Sequence, residues 1–257
     1  MRHREYAPPA PLRDLIQCFW HQRREQGAPP FEVMPDGYAE IVFHAGAPFA
    51  MAGPDGWQPL PSPFLIGLLD RPLQLSVQGP VDILGIRCFP WTVYELLGLP
   101  SAPGNTALDA HPLAALQPRV SACLLAGRVD DAIAALTVHF LAARVAVDGL
   151  LARAGGAIRE AGGTLPVGQV AATSHATVRT LERRFKGASG RTVKDVSSLV
   201  RFEQVRNRLW TDPDAPLAAL AQELGYTDQS HLSREFKRYA GMTPAVFAQQ
   251  RRIARQS

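Results

Sequence analysis

Two stretches of the chain place guanidinium and short polar side chains at helical spacing. The second carries Gln229, Ser230, Ser233, Arg234, Lys237 and Arg238 on one side of a helical period, with Leu232, Phe236, Tyr239 and Ala240 on the other. The first carries Arg179, Thr180, Glu182 and Arg183 outward, with Leu181 and Phe185 inward. Gln, Ser and Arg can hydrogen-bond base edges in a major groove, and bidentate Arg to guanine is the commonest specific contact. Lysine or arginine one turn further on, as at Lys237 and Arg238, suits phosphate oxygens. Glu182 could accept from cytosine or pair with a neighbouring arginine. The bland alternative is a pair of solvated amphipathic helices in an all-helical domain.

These side chains need helices to hold them, and the flanking residues supply the signals. Leu217, Leu220, Ala221 and Leu224 repeat at 0, 3, 4 and 7, one helical face. Pro216 suits a first turn and Gly225 a left-handed helix end. Thr227 or Asp228 can cap the next helix, Gly241 ends it, and Thr243-Pro244 restarts the chain. A short helix, a glycine turn and a second helix with a basic outer face make a helix-turn-helix. Residues 166–193 repeat the pattern: Arg183-Arg184-Phe185-Lys186 matches Arg234-Glu235-Phe236-Lys237 at an offset of 51, while Val170-Ala171 matches Leu220-Ala221 at 50. The second copy therefore has one extra residue in its turn. The first copy departs from the pattern at Ser174, at His175 in the glycine position and at Val193 in the proline position. Between the copies, Lys194–Trp210 reads as one helix roughly 25 Å long. Such a rod can hold two recognition helices about one DNA turn, ~34 Å, apart.

The stretch from 217 to 244 resembles the second helix-turn-helix of the AraC/XylS family of bacterial transcription regulators. The resemblance is carried by Ala221, Leu224-Gly225-Tyr226, Asp228-Gln229-Ser230-His231, Ser233-Arg234-Glu235-Phe236-Lys237-Arg238, Gly241 and Thr243-Pro244, and extends over about 147–252. It implies base-reading positions at Arg179, Thr180 and Arg183 in the first unit and Gln229, Ser230 and Arg234 in the second. Phosphate candidates are Lys186, Arg191, Lys194, Lys237 and Arg238. A weaker resemblance to the N-terminal domain of one AraC-type subgroup rests on Tyr6-x-Pro8, Phe19-Trp20, Pro35-Asp36-Gly37 followed by Glu40-Ile41-Val42-Phe43, and Gly85-Ile86-Arg87 with Phe89-Pro90. It implies a barrel-like ligand or partner domain and names no ligand.

Charge divides the same way. Residues 147–257 carry 17 Lys and Arg against 10 Asp and Glu, a net +7, whereas residues 1–146 carry 10 against 13, a net −3. A basic half beside a mildly acidic one suits nucleic acid. Of the 22 prolines, 18 precede residue 147, so turns and short strands belong to the first half. Apolar runs at Ala39–Phe43, Phe49–Met51, Phe64–Gly67, Leu73–Val77 and Asp82–Cys88 alternate with turn signals, as in a small β-sandwich or barrel. Leu12, Leu15, Ile16, Phe19 and Trp20 fit a helix, or a strand if Phe19-Trp20 is extended. In Pro35-Asp36-Gly37, proline fixes φ and glycine takes a positive φ. Trp91–Leu97 reads as a helical turn or two. Two antiparallel helices follow within about 107–143, joined at Gly127. Whether they carry dimer contacts or only pack on the barrel stays open. No Ser/Gly linker separates the halves, which predicts close coupling.

Other chemistry finds little support. A cupin-type metal site needs several histidines and a carboxylate converging; this region offers His44, with His21 nearby, so His44 reads as structural or exposed. No phosphate-binding glycine loop, Gly-x-Ser-x-Gly or His-Glu-x-x-His occurs. Cys18, Cys88 and Cys123 are widely spaced, as buried reduced thiols in a cytosolic protein are. The opening Met-Arg-His-Arg begins no apolar signal region, and no apolar run could span a membrane.

The expectation is therefore an α+β multidomain chain. Residues 1–146 form a β-barrel or cupin-like domain with flanking helices, and residues 147–257 an all-α domain with two helix-turn-helix units. It binds double-stranded DNA at specific sequences and needs no cofactor, metal or catalytic residue. Its setting is cytoplasmic; its role is that of an activator or a repressor, a choice the sequence leaves open. A small-molecule effector, RNA polymerase and a second copy of the chain complete the partners considered. The alternatives are a barrel-domain enzyme and an interaction protein whose helical adaptor does not bind DNA.

Overall fold

The computed structural model describes residues 3–102 and 104–256; Met1, Arg2, Pro103 and Ser257, and with them part of the opening tetrapeptide, lie outside the described residues. Strands β4 (Ala39–Gly46) and β9 (Val81–Cys88) are buried on both faces, and the two-residue strand period sorts their side chains. Ile41, Phe43, Leu84 and Ile86 face one side, whereas Glu40, Val42, Ile83 and Arg87 face the other. These strands centre a six-stranded antiparallel sheet in the order β1 (His3–Tyr6), β2 (Ile16–Arg24), β9, β4, β7 (Phe64–Ile66), β10 (Asn105–Ala107). A four-stranded sheet runs β3 (Phe31–Val33), β8 (Leu73–Val77), β5 (Phe49–Gly53), β6 (Gly56–Leu60).

The two sheets share no strand, so the barrel expectation is corrected: this is an open two-sheet sandwich. Short strands between turns serve either architecture; the edge pairing that decides between them is long-range. Residues 12–20 resolve to a 3-10 turn at Ala10–Leu12 and then β2, because Phe19-Trp20 pairs with Gly85-Ile86 across the sheet. The outer face of the large sheet is covered by a helical hairpin. Here α2 (Gln117–Leu125) and α3 (Val129–Ala143) bring Val120, Leu124, Leu136 and Phe140 onto Phe19, Ile41 and Phe43, with Gly127 at φ 70° in the turn. Before the hairpin, α1 (Val93–Leu97) ends at left-handed Gly98. Cys18, Cys88 and Cys123 are free and buried.

Among the described residues seven helices follow: α4 (Gly149–Glu160), α5 (Val167–Thr173), α6 (Val178–Ser189), α7 (Val193–Thr211), α8 (Leu217–Glu223), α9 (Gln229–Ala240) and α10 (Pro244–Gln256). The 19 residues of α7 make a rod about 28 Å long. Val196, Leu199, Phe202, Val205 and Leu209 anchor it among Val170, Leu181 and Phe185 of the first unit and Leu220, Leu232 and Phe236 of the second. The same core takes in Leu68 and Trp91 from the sandwich half, so the two halves are closely coupled, as the missing linker predicts. No helix among the described residues is long and apolar enough to cross a membrane.

Candidate nucleic-acid interface

The two helices that carry the candidate side chains, α6 and α9, are built alike. Thr177 caps α6 by accepting the Thr180 N–H at 3.2 Å, and Asp228 caps α9 by accepting the His231 N–H at 2.7 Å. Each supplies one acceptor for the free donors of a first turn. Gly190 and Gly241, both at φ 71°, end them. Leu181 and Phe185, and Leu232, Phe236 and Tyr239, are sealed in the core. Arg179, Arg183 and Lys186 stand exposed on α6, with Thr180 half-buried by its cap; Gln229, Ser230, Arg234, Lys237 and Arg238 are all exposed on α9. These nine side chains thus lie on the outward sides of the two helices.

The irregular first unit is repaired locally. The turn between α5 and α6 is four residues, 174–177, against five, 224–228, between α8 and α9. His175 takes φ 54° where Gly225 takes 69°. The same turn bond forms in both, Ala176 N–H to Ala171 O at 3.0 Å and Tyr226 N–H to Ala221 O at 2.9 Å. Ser174 is buried at a position apolar in the second unit, and its hydroxyl donates to Val170 O at 2.7 Å. Val193 has the N–H that proline would lack, and it donates to Glu182 Oε2 at 3.4 Å. Glu182 therefore serves its own unit.

Arg191, a phosphate candidate, faces the sandwich half: its guanidinium donates to Leu68 O at 3.1 Å and lies 3.6 Å from Asp70. Lys194 remains exposed.

The Pro35-Asp36-Gly37 motif also works differently from its expected turn role. Asp36 accepts the Tyr38 N–H at 3.0 Å, but Gly37 does not adopt a positive φ. Its missing side chain matters instead, since a Cβ would fall 2.9 Å from Arg159 Nη2 and 3.0 Å from Val200 Cγ2. Arg159 of α4 donates to Gly37 O and lies 3.5 Å from the Tyr38 ring centroid. Burial pushes the Tyr38 phenol up, against the pull of that guanidinium. Arg206 of α7 donates to Pro35 O at 3.1 Å. Nearby, Trp91 stacks on Phe89 at 5.2 Å, packs on Phe185 at 5.8 Å and leaves room at Gly155 only for hydrogen. Arg159 and Arg206 carry no signal in the sequence, because nothing in their spacing links them to a turn more than a hundred residues away.

Between the sheets lies a cavity of about 390 Å³. Trp20, Phe31, Phe49, Phe64, Ile66 and Leu75 give it apolar walls. Glu40 sits at its polar end, accepting from Trp20 Nε1 and from Arg87 Nε, each at 2.9 Å. Arg206 reaches the same cavity from α7. The histidines considered as metal ligands are otherwise placed: His21 pairs with Asp82 at 3.0 Å, and His44 packs on Phe49, where burial pushes its imidazole towards the neutral form.

Residues 170–250 match a helix-turn-helix domain family, and residues 4–105 match a domain family of unknown function (DUF6597). A protein of Streptomyces antibioticus described as an AraC-like transcription regulator is 35% identical over 81 residues, which are 32% of this chain and 26% of that protein. The chain thus spans about a quarter of the length of the curated relative it matches. Among solved structures, the DNA-binding domain of AdpA in complex with a target DNA is 24% identical, covering 43% of this chain and 99% of that one (TM-score 0.39). The C-terminal domain of AraT, a response regulator from Geobacillus stearothermophilus, is 22% identical, covering 40% and 86% (TM-score 0.38). ToxT of Vibrio cholerae is 10% identical, covering 90% and 97% (TM-score 0.48).

Proposed function

We propose, on the premise that this chain belongs to the AraC/XylS family, that it is a sequence-specific DNA-binding transcription regulator. We divide it into a sandwich half, 1–146, and a DNA-binding half, 147–257. Arg179, Thr180 and Arg183 of α6 and Gln229, Ser230 and Arg234 of α9 read bases in adjacent major-groove segments. Lys186, Lys237 and Arg238 hold phosphates. The observation that carries this reading is the outward placement of these side chains, all but half-buried Thr180 exposed, on two capped helices packed on one rod.

Selection of duplexes from a random pool, followed by gel retardation across a salt series, tests it. Enrichment of one composite site, with affinity falling steeply as salt rises, is the expected result. If no duplex is retarded at low salt, the helical half is an adaptor and not a reader.

The cavity beside Glu40 and Arg87 is where a small-molecule effector fits, in the cytoplasm of the cell that makes the protein. Val138 and Leu141 of α3, both exposed, suit contact with a second copy. An activator's contact with RNA polymerase belongs to the same reading.

A further inference from the structure

The loop joining β7 to β8, Gly67–Pro72, leaves the sandwich and crosses to the helical half. Leu68 is 4% exposed and belongs to the core around α7, not to that of the sheets. Its carbonyl accepts from Arg191 at 3.1 Å, and Asp70 stands 3.6 Å from the same guanidinium. Arg191 directly follows the Gly190 that ends the first recognition helix. Leu69 and Asp70 also line a crevice that Arg191 shares with Arg238 and Tyr239, in the last turn of the second recognition helix. A Cβ added to Gly241, which ends that helix, would come 4.0 Å from Pro72 Cγ. One loop thus meets the C-terminal ends of both recognition helices.

We propose that this loop is a brace that sets the separation of the two recognition helices, so that the sandwich half decides which spacing of DNA half-sites the protein reads. The proposal rests on the DNA-binding reading above. The physical reason is leverage. The second unit joins α7 through the short turn 212–216, and the first through the turn 190–192, and each turn is a pivot. A small rotation at either would shift an exposed Arg by a large part of a base-pair step. An apolar anchor at Leu68 and a guanidinium clamp at Arg191, with Pro72 beside Gly241, oppose both rotations from one rigid support. That support is the sandwich, and β7 and β8 on either side of the loop are walls of its cavity through Phe64, Ile66 and Leu75.

The test uses the full chain and duplexes carrying the selected site with one or two base pairs inserted or deleted between its halves. Wild type should prefer one spacing by at least about tenfold, and Leu68→Ala should flatten that preference while each half-site keeps its base preference. Asp70→Lys, a reversal at an exposed position facing Arg191, should flatten it too, and decides alone if Leu68→Ala does not fold. Folded variants with the wild-type spacing profile overturn the brace and leave the regulator reading intact. A wild-type chain that retards no duplex overturns both.

Discussion

At position 175 a histidine holds φ 54°, in the region that costs an L-residue roughly 1–2 kcal/mol. The turn bond from Ala176 to Ala171 keeps it there. His175→Gly should therefore stabilise the protein by up to about 1 kcal/mol, since glycine gives back part of the gain as unfolded-chain entropy. Thermal melts should show a rise of about 2–4 °C, and a fall would refute the strain. Arg234 and Lys237 share an exposed face but carry different proposed tasks. Arg234→Ala should weaken binding to the selected site by about 1–3 kcal/mol and relax one base position, while Lys237→Ala should weaken all duplexes alike. Competition binding with single-base variants separates the two; equal losses on cognate and random DNA for Arg234→Ala would remove it from base reading. Both side chains could be named from spacing, because a capped amphipathic helix leaves its polar face outward whatever it packs on. Arg191 could not be placed that way. Its partners, Leu68 O and Asp70, are over a hundred residues away.

Helices in this chain announce their ends. Thr177, Asp228 and Thr192 cap α6, α9 and α7, and Gly190 and Gly241 close the recognition helices. What a helix touches is another matter, and α4 shows it. Gly155 and Gly156 are sequence neighbours of one type. A Cβ on Gly155 would lie 2.0 Å from Trp91 Cζ2, whereas one on Gly156 meets nothing within 4 Å. Gly155→Ala should cost about 1–3 kcal/mol through overpacking against an indole held by Phe89 and Phe185. Gly156→Ala should stabilise by about 0.5–1 kcal/mol, as alanine does inside a helix. Chemical denaturation of the two variants checks the pair, and similar effects in both would mean Trp91 is not docked on α4. The strands were readable as short apolar runs between turns. Their assembly into two sheets was not, because an open sandwich and a closed barrel differ only in long-range edge pairing.

Over the whole molecule, the two halves are joined by more than a peptide. Leu68 and Trp91 lie in the core around α7, while Arg159, Arg191 and Arg206 all donate to backbone carbonyls of the sandwich half. The full chain should therefore unfold in one transition, with calorimetric and van't Hoff enthalpies in agreement. Two resolved transitions would mean that the interface is too weak to couple the halves, and the brace with it. Residue order alone carried the local pieces: the ends of the recognition helices, the pseudo-repeat with its longer second turn, the exposed basic faces and the charge difference between halves. Those depend on residues within a turn or two of one another, so their physics is written in spacing. The open sandwich, the role of Gly37 as a seat for Arg159, and the loop that spans both recognition helices came from the fold. Each of these is a meeting of surfaces far apart in the chain, and close packing selects such meetings by shape, which no local pattern records.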